Sequence, residues 1–137
     1  MSDLKKKQLF KEFLAKNKIL IADKSSASRR RLVKTLVDLG ANRQSIHSIA
    51  HYSEAIDIID NEKPALILSD YTLNGGSGFD LFKHYKEAHP QVKNATLVLV
   101  TSNISQSSVA KAAEGDVDSF IIKPYTCLLY TSPSPRD

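Results

Sequence analysis

The sequence has little cysteine and no long apolar run. Cys127 is the one cysteine among 137 residues, so the chain can form no internal disulfide and has no second thiolate to share a metal ion. No apolar run approaches the ~18 residues that a membrane-spanning helix needs. Charged residues are distributed throughout residues 1–17, where a secretory signal would have a continuous apolar segment. We therefore expect a cytoplasmic protein with no membrane partner.

The positive charge of the chain is not concentrated. The formal net charge is +4, but basic residues cluster only at positions 5–7 and 29–31. Nucleic-acid-binding proteins gather lysine and arginine on one face, whereas dispersed charge is typical of a solvated surface. We expect no direct nucleic-acid partner within this chain.

Five short apolar runs, rich in Ile, Val and Leu, predict strands that are buried on both faces, as in a parallel sheet. They lie at 18–22, 45–50, 65–69, Thr96–Thr101 and Ser119–Ile122. Segments with helical periodicity separate them, at 29–39, 53–60, 79–88 and 107–114. The second of these helices is predicted to start on Ser53. The alternation predicts one α/β domain with a doubly wound five-stranded parallel sheet.

The two ends of the chain depart from this pattern. Phe10, Phe13 and Leu14 lie at helical spacing in the N-terminal extension 1–17, which leaves open an extra helix or a solvated leader. After the fifth strand a doubly wound domain needs one more helix, but the two prolines within 126–137 disfavour it. This tail looks non-native, similar to a vector-derived read-through, so we expect the last helix to be missing or replaced.

Polar residues follow the predicted strands at their carboxyl ends, where open parallel sheets collect functional groups. Asp23 and Lys24 follow the first strand, Asp70 the third and Lys123 the fifth, while Thr101 ends the fourth. This set suits phosphoryl transfer to a carboxylate, with Asp70 as the nucleophile that forms an acyl phosphate. A hydroxyl and an ammonium group can bind the charged phosphoryl oxygens.

Oxygen atoms near the same edge could hold a divalent cation. Candidates are the carboxylates of Asp23 and Asp70 and the main-chain carbonyl of Thr72. The glycines in the loop 74–78 allow the backbone to turn tightly beside them. The histidines lack metal-ligand spacing and are predicted to be ordinary surface or partly buried residues; they are His47, His51, His84 and His89.

Four sequence blocks together resemble the receiver domain of bacterial two-component response regulators: ILIAD, LILSDYTLNGGSGFDL, LVLVTS and FIIKPY. The resemblance covers about residues 18–125 and implies a flavodoxin-like sheet with strand order 2-1-3-4-5. It implies that Asp70 is the phosphorylated aspartate, Thr101 the switch hydroxyl, Phe120 the switch aromatic and Lys123 the lysine that precedes a proline. It also implies Mg²⁺ as cofactor, a histidine kinase or phosphotransfer protein as donor, and a downstream effector protein or domain as partner.

One residue departs from the family pattern. The family ends its first strand with two adjacent acids, and the second, the usual direct metal ligand, is replaced here by Lys24. The charge of the site changes from about −2 to about zero, which weakens the Coulomb attraction for Mg²⁺. Two hypotheses stay open: a phosphoacceptor switch, and a degenerate receiver that binds a partner without phosphorylation. Thr72 stands where a phosphohydrolase would want a second acid, so we expect no enzyme beyond slow autodephosphorylation.

Overall fold

The structure of the chain is a computed structural model that describes residues 2–101 and 119–122, with side chains described for residues 2–100. The predicted helix 107–114, Lys123 and the tail 126–137 lie outside the described residues. The same holds for the side chains of Thr101 and Phe120, whose backbones lie in strands.

Helices and strands alternate along the described chain. The helices are α1 Asp3–Lys16, α2 Ser26–Asp38, α3 Tyr52–Glu62 and α4 Gly78–Ala88, with a 3₁₀ turn at Arg43–Ser45. The strands are β1 Ile19–Ala22, β2 Ile46–Ile49, β3 Leu66–Ser69, β4 Thr72–Leu73, β5 Gly76–Ser77, β6 Thr96–Thr101 and β7 Ser119–Ile122. Within the described ranges, no helix has both the length and the apolar character needed to cross a membrane.

Five strands form one parallel sheet in the order β2-β1-β3-β6-β7. The short strands β4 and β5 form a separate antiparallel hairpin. Counted without this hairpin, the order is 2-1-3-4-5, which confirms the predicted fold class. The three inner strands β1, β3 and β6 therefore each have a strand on both sides.

Both faces of the sheet are buried, because successive side chains of a strand point to opposite sides. One face packs on α2 and on the end of α1; its buried residues are Leu14, Ile19, Ile21, Leu32, Val33, Leu36, Ala41, Leu66, Leu68, Val98 and Val100. The other face packs on α3 and α4; its buried residues are Leu20, Ala22, Ala55, Ile59, Ile67, Leu73, Leu81, Phe82, Tyr85, Leu97 and Leu99. This double cover explains the unbroken apolar runs in the sequence.

The N-terminal segment, for which the sequence leaves a helix and a solvated leader open, forms helix α1. Its side chain Leu14 is fully buried in the core under α2. A Cβ atom at Gly40, in the loop after α2, would lie 2.6 Å from the Cγ of Lys11. Helix α1 thus lies against the domain at two points.

Helix α3 starts one residue earlier than predicted, because Ser53 is not its N-cap. His51 occupies the N-cap position and makes no side-chain capping bond. The Tyr52 N–H donates instead to the carbonyl oxygen of Asn74, in the hairpin turn, at 2.8 Å. A tertiary hydrogen bond therefore satisfies one of the N–H groups at the helix start that have no acceptor within the helix.

Candidate functional site

Two acidic residues directly follow adjacent strands at the same edge of the sheet. Ala22 of β1 pairs with Ser69 of β3, and the next residues are Asp23 and Asp70. The Asp70 N–H donates to the Ala22 carbonyl at 2.8 Å, and the Asp23 N–H donates to the carbonyl of Ile49 at 3.0 Å. Backbone hydrogen bonds therefore fix both acids at the carboxyl edge of the sheet, as the sequence predicts.

The carboxylate of Asp70 is oriented by its neighbours and stays reachable. Its Oδ1 accepts a hydrogen bond from the Tyr71 N–H at 2.7 Å. The hydroxyl of Ser69, which is fully buried, donates to the Asp70 carbonyl at 2.9 Å. Asp70 itself is only partly buried, so an incoming group can reach it.

Asp23 is buried, with 1% of its surface exposed. Its Oδ1 accepts the Ser25 N–H at 2.8 Å, and its main-chain carbonyl accepts a hydrogen bond from the Arg29 guanidinium at 2.5 Å. From the sequence, Arg29 is only one member of a small basic cluster at 29–31, with no predicted contact. In the structure it lies in the first half of α2 and holds the strand end that carries Asp23.

Lys24, the residue that departs from the family pattern, has an exposed side chain. It stands directly after the buried Asp23, and its long stem allows the ammonium group to remain in water. The oxygen donors predicted beside these strand ends are the carboxylates of Asp23 and Asp70, with the carbonyl of Thr72 two residues farther along the chain. Two carboxylates and a carbonyl are ligands that Mg²⁺ accepts, so the donor set fits the ion at a lower negative charge than three acids would give.

The hairpin β4–β5 directly follows Asp70 and requires glycine at two points. Gly75 has a φ of 88°, a conformation that side chains disfavour. A Cβ atom at Gly78 would lie 2.5 Å from the Asp70 carbonyl oxygen and 2.9 Å from the Ser69 hydroxyl. The predicted tight turn in the loop 74–78 is present, and it brings the start of α4 against Asp70.

The last two strands place further predicted residues toward the same edge through their backbones. Leu99 pairs with Ser69, so Thr101 lies two residues farther along β6, where it pairs with Ile122 of β7. Lys123 is the next residue of the chain and lies outside the described residues. The structure thus places Asp23 and Asp70 at one edge of the sheet, with Thr72 two residues after Asp70 in the hairpin. The side-chain positions of Thr101, Phe120 and Lys123 stay predictions.

Comparison with known proteins identifies the family. The family model described as the response regulator receiver domain matches residues 19–127 of this chain. The chain belongs to this family. Receiver domains are signalling switches that typically bind Mg²⁺ and interact with histidine kinases and effectors.

Several relatives of this receiver domain are chemotaxis proteins. The chemotaxis protein CheY homolog of Campylobacter jejuni is 28% identical over 110 residues, which cover 80% of this chain and 82% of the relative. Chemotaxis protein CheY-3 of Vibrio cholerae is 29% identical over 109 residues, again with 80% and 82% covered. Among solved structures, a two-component response regulator from Clostridium difficile has a TM-score of 0.70 and 28% identity, covering 85% of this chain and 92% of that one.

Proposed function

We propose that this receiver domain accepts a phosphoryl group on Asp70 from a histidine kinase or phosphotransfer protein. The observation that carries the proposal is the pair Asp23 and Asp70 at neighbouring strand ends, in a chain of the receiver family. An oxygen of the Asp70 carboxylate forms a new P–O bond while the P–N bond of a phosphohistidine donor breaks. The Tyr71 N–H, bound to Oδ1, holds the carboxylate in one orientation for this attack.

In this proposal the remaining predicted residues bind the phosphoryl group and change conformation when it is present. Lys123 and Thr101 bind phosphoryl oxygens through an ammonium and a hydroxyl group, and Phe120 rearranges with Thr101 to change a partner-binding surface. When bound by Asp23, Asp70 and the Thr72 carbonyl, Mg²⁺ would neutralise charge on the transferring group.

We further propose the organisation and setting of the chain. Residues 18–125 form the receiver domain after the extension 1–17, and 126–137 form a tail of non-native character, although the family match extends to residue 127. The domain works in the cytoplasm as a switch for a downstream effector protein or domain, with at most slow autodephosphorylation.

Intact mass after incubation with acetyl phosphate, with and without Mg²⁺, tests the proposal. We expect a single phosphoryl adduct that requires Mg²⁺ and is absent from Asp70→Asn. Asp57→Asn is the matched control, because Asp57 is an exposed acid on α3, and it should be labelled like the wild type. Folded wild-type protein that gains no adduct under any condition would overturn the proposal.

Lys24 motivates the second candidate function, a receiver that binds its partner without phosphorylation. Lys24→Asp restores the acid of the family pattern, and Lys5→Asp makes the same charge change on α1. If Lys24→Asp alone gains Mg²⁺ affinity and labelling, the natural chain is a degenerate receiver. If its labelling is unchanged or lost, Lys24 already belongs to a working phosphoacceptor site.

A further inference from the structure

A cluster of three potential metal ligands joins α3 to α4. Oδ1 of Asp60, in the last turn of α3, lies 2.8 Å from Nε2 of His84 and 2.7 Å from Nε2 of His89. His84 lies within α4 and His89 is its C-cap. The carboxylate oxygen and the two ring nitrogens all lie within 4.8 Å of one another.

This cluster lies away from the phosphoacceptor edge. Helices α3 and α4 begin near the carboxyl ends of the strands, since α3 follows β2 and α4 follows the hairpin after Asp70. Their last turns therefore lie toward the opposite edge. The ion pair between Glu62, the last residue of α3, and Lys18, the residue before β1, agrees with this placement; its atoms are 2.6 Å apart.

We propose that Asp60, His84 and His89 form a binding site for Zn²⁺ or a chemically similar transition-metal ion. Two imidazoles and one carboxylate make a mixed nitrogen and oxygen set that suits Zn²⁺, whereas Mg²⁺ prefers oxygen alone. The fourth position of a tetrahedral ion would be filled by water.

The distances in the cluster suit the insertion of an ion. With bonds of about 2.1 Å, a tetrahedral Zn²⁺ holds its ligand atoms about 3.4 Å apart. The present contacts of 2.7 and 2.8 Å would open by roughly 0.6 Å, a change that small side-chain rotations can provide. In the absence of metal each ring donates its Nε2–H to Asp60, so each Nε2 must give up this proton, to water or by tautomerisation to Nδ1, before it binds the ion.

The ion has a path to the cluster. The exposed fractions of the side chains are 42% for Asp60, 29% for His84 and 13% for His89. The ammonium group of Lys63 donates to the main-chain carbonyl of Asp60 at 3.0 Å. Because Lys63 is exposed, its ammonium can turn into water as the cation enters.

Isothermal titration with ZnCl₂, in excess Mg²⁺ to occupy the phosphoacceptor edge, tests the proposal. We expect one Zn²⁺ per chain and a rise in melting temperature. His84→Gln and His89→Gln each retain an N–H that can donate to Asp60 but lose a metal ligand. Their Zn²⁺ affinity should fall by more than the roughly 10- to 100-fold that loss of an outer-shell partner costs.

Three variants serve as controls. His51→Gln removes an exposed histidine outside the cluster, Cys127→Ser removes the thiol, and Asp70→Asn removes the proposed phosphoacceptor; all three should bind Zn²⁺ like the wild type. Zn²⁺ binding by Asp70→Asn keeps this test separate from that of the proposed function.

A wild type that binds no Zn²⁺, or glutamine variants that bind it undiminished, would overturn the metal site. If a glutamine variant does not fold, NMR of the wild type decides. The imidazole ¹⁵N resonances of His84 and His89 should shift together on addition of one equivalent of Zn²⁺, and unchanged resonances would leave the cluster as a hydrogen-bonded link alone.

Discussion

At the scale of single residues, the close approach of α4 to Asp70 is possible because residue 78 has no side chain. Gly78 starts α4 with its Cα so close to Asp70 that an added Cβ would meet the Asp70 carbonyl oxygen at 2.5 Å. This neighbour is backbone and cannot rotate away. Nearby, the buried hydroxyl of Ser69 and the side chain of Leu99 restrict the remaining space, at 2.9 and 3.1 Å.

Gly78→Ala is therefore expected to destabilise the domain, although alanine is the better helix former. We expect a loss of roughly 1–3 kcal/mol in the free energy of unfolding, typical of overpacking, together with slower labelling of the displaced Asp70. Urea unfolding and labelling with acetyl phosphate measure the two effects. Wild-type stability in this variant would mean that α4 can move away from the strand at no cost.

The sequence predicts which residues follow the strands, but it does not predict which residues of other elements contact them. Asp23 and Asp70 were predictable because each directly follows a short, largely apolar run of the kind that predicts a buried strand. The contact of Arg29 with the Asp23 carbonyl, and the meeting of Asp60 with two histidines, were not. Both depend on how a helix packs on another element, and the spacing of the residues along the chain carries no signal of that packing.

At the scale of elements, helix α2 shows how a local signal defines a boundary. The Oγ of Ser25 accepts the Ser28 N–H at 3.2 Å, and the chain leaves the helix through Gly40 with a φ of 125°. Ser25→Ala should cost about 1 kcal/mol of stability, because an N–H of the first turn loses its acceptor. Ser26→Ala, one residue farther on, keeps the cap and should be nearly neutral in the same urea denaturation experiment.

Helix α3 shows the opposite case. Ser53 is a good capping residue, yet the helix starts before it, since the hairpin turn supplies an acceptor for the Tyr52 N–H. The hairpin strands are only two residues long. This is too short for an alternation of apolar and polar residues that would predict a strand. Boundaries set by contacts between elements therefore escape prediction, whereas the strands do not. Helix α2 was itself predicted only from residue 29, three residues after its observed start at Ser26.

The buried side chain of Tyr85, on α4, makes the stability of the fold depend on pH. The hydroxyl of Tyr85 donates to the carbonyl of Pro64 at 2.6 Å, and burial raises the pKa of Tyr85 to about 12 from the ordinary value of 10.0. The folded state thus keeps this proton when the unfolded chain has lost it. Its contribution to stability is full below pH 10 and is lost as the pH rises through 12.

Tyr85→Phe should lower the free energy of unfolding at neutral pH by about 1–3 kcal/mol, because the buried carbonyl of Pro64 loses its donor. The difference between the variant and the wild type should shrink above about pH 10, where the wild type loses its advantage. Urea denaturation across this pH range measures both effects. Tyr52→Phe, at a more exposed tyrosine, is the comparison, and a pH-independent difference for Tyr85→Phe would contradict the linkage.

At the scale of the whole molecule, the N-terminal helix is part of the core of the domain. Leu14 is fully buried under α2, whereas Leu4 on the same helix is 79% exposed. Leu14→Ala should cost about 2–5 kcal/mol, the range for a buried leucine that leaves a cavity, and Leu4→Ala should cost little. Thermal or urea unfolding distinguishes the two variants. An equally small loss of stability in both would mean that α1 does not contribute to the stability of the domain.

The inner position of β1 and β3 also determines how stably the strand ends that carry Asp23 and Asp70 are held. The amide protons of Asp23 and Asp70 are held by carbonyls of neighbouring strands, and both strands are flanked on each side within the sheet. Opening the Asp70 amide to solvent requires the inner strands β1 and β3 to separate, whereas the Asp23 amide is bonded to the edge strand β2. Hydrogen exchange at Asp70 should therefore proceed through global unfolding, and exchange at Asp23 should be faster because an edge strand can open locally.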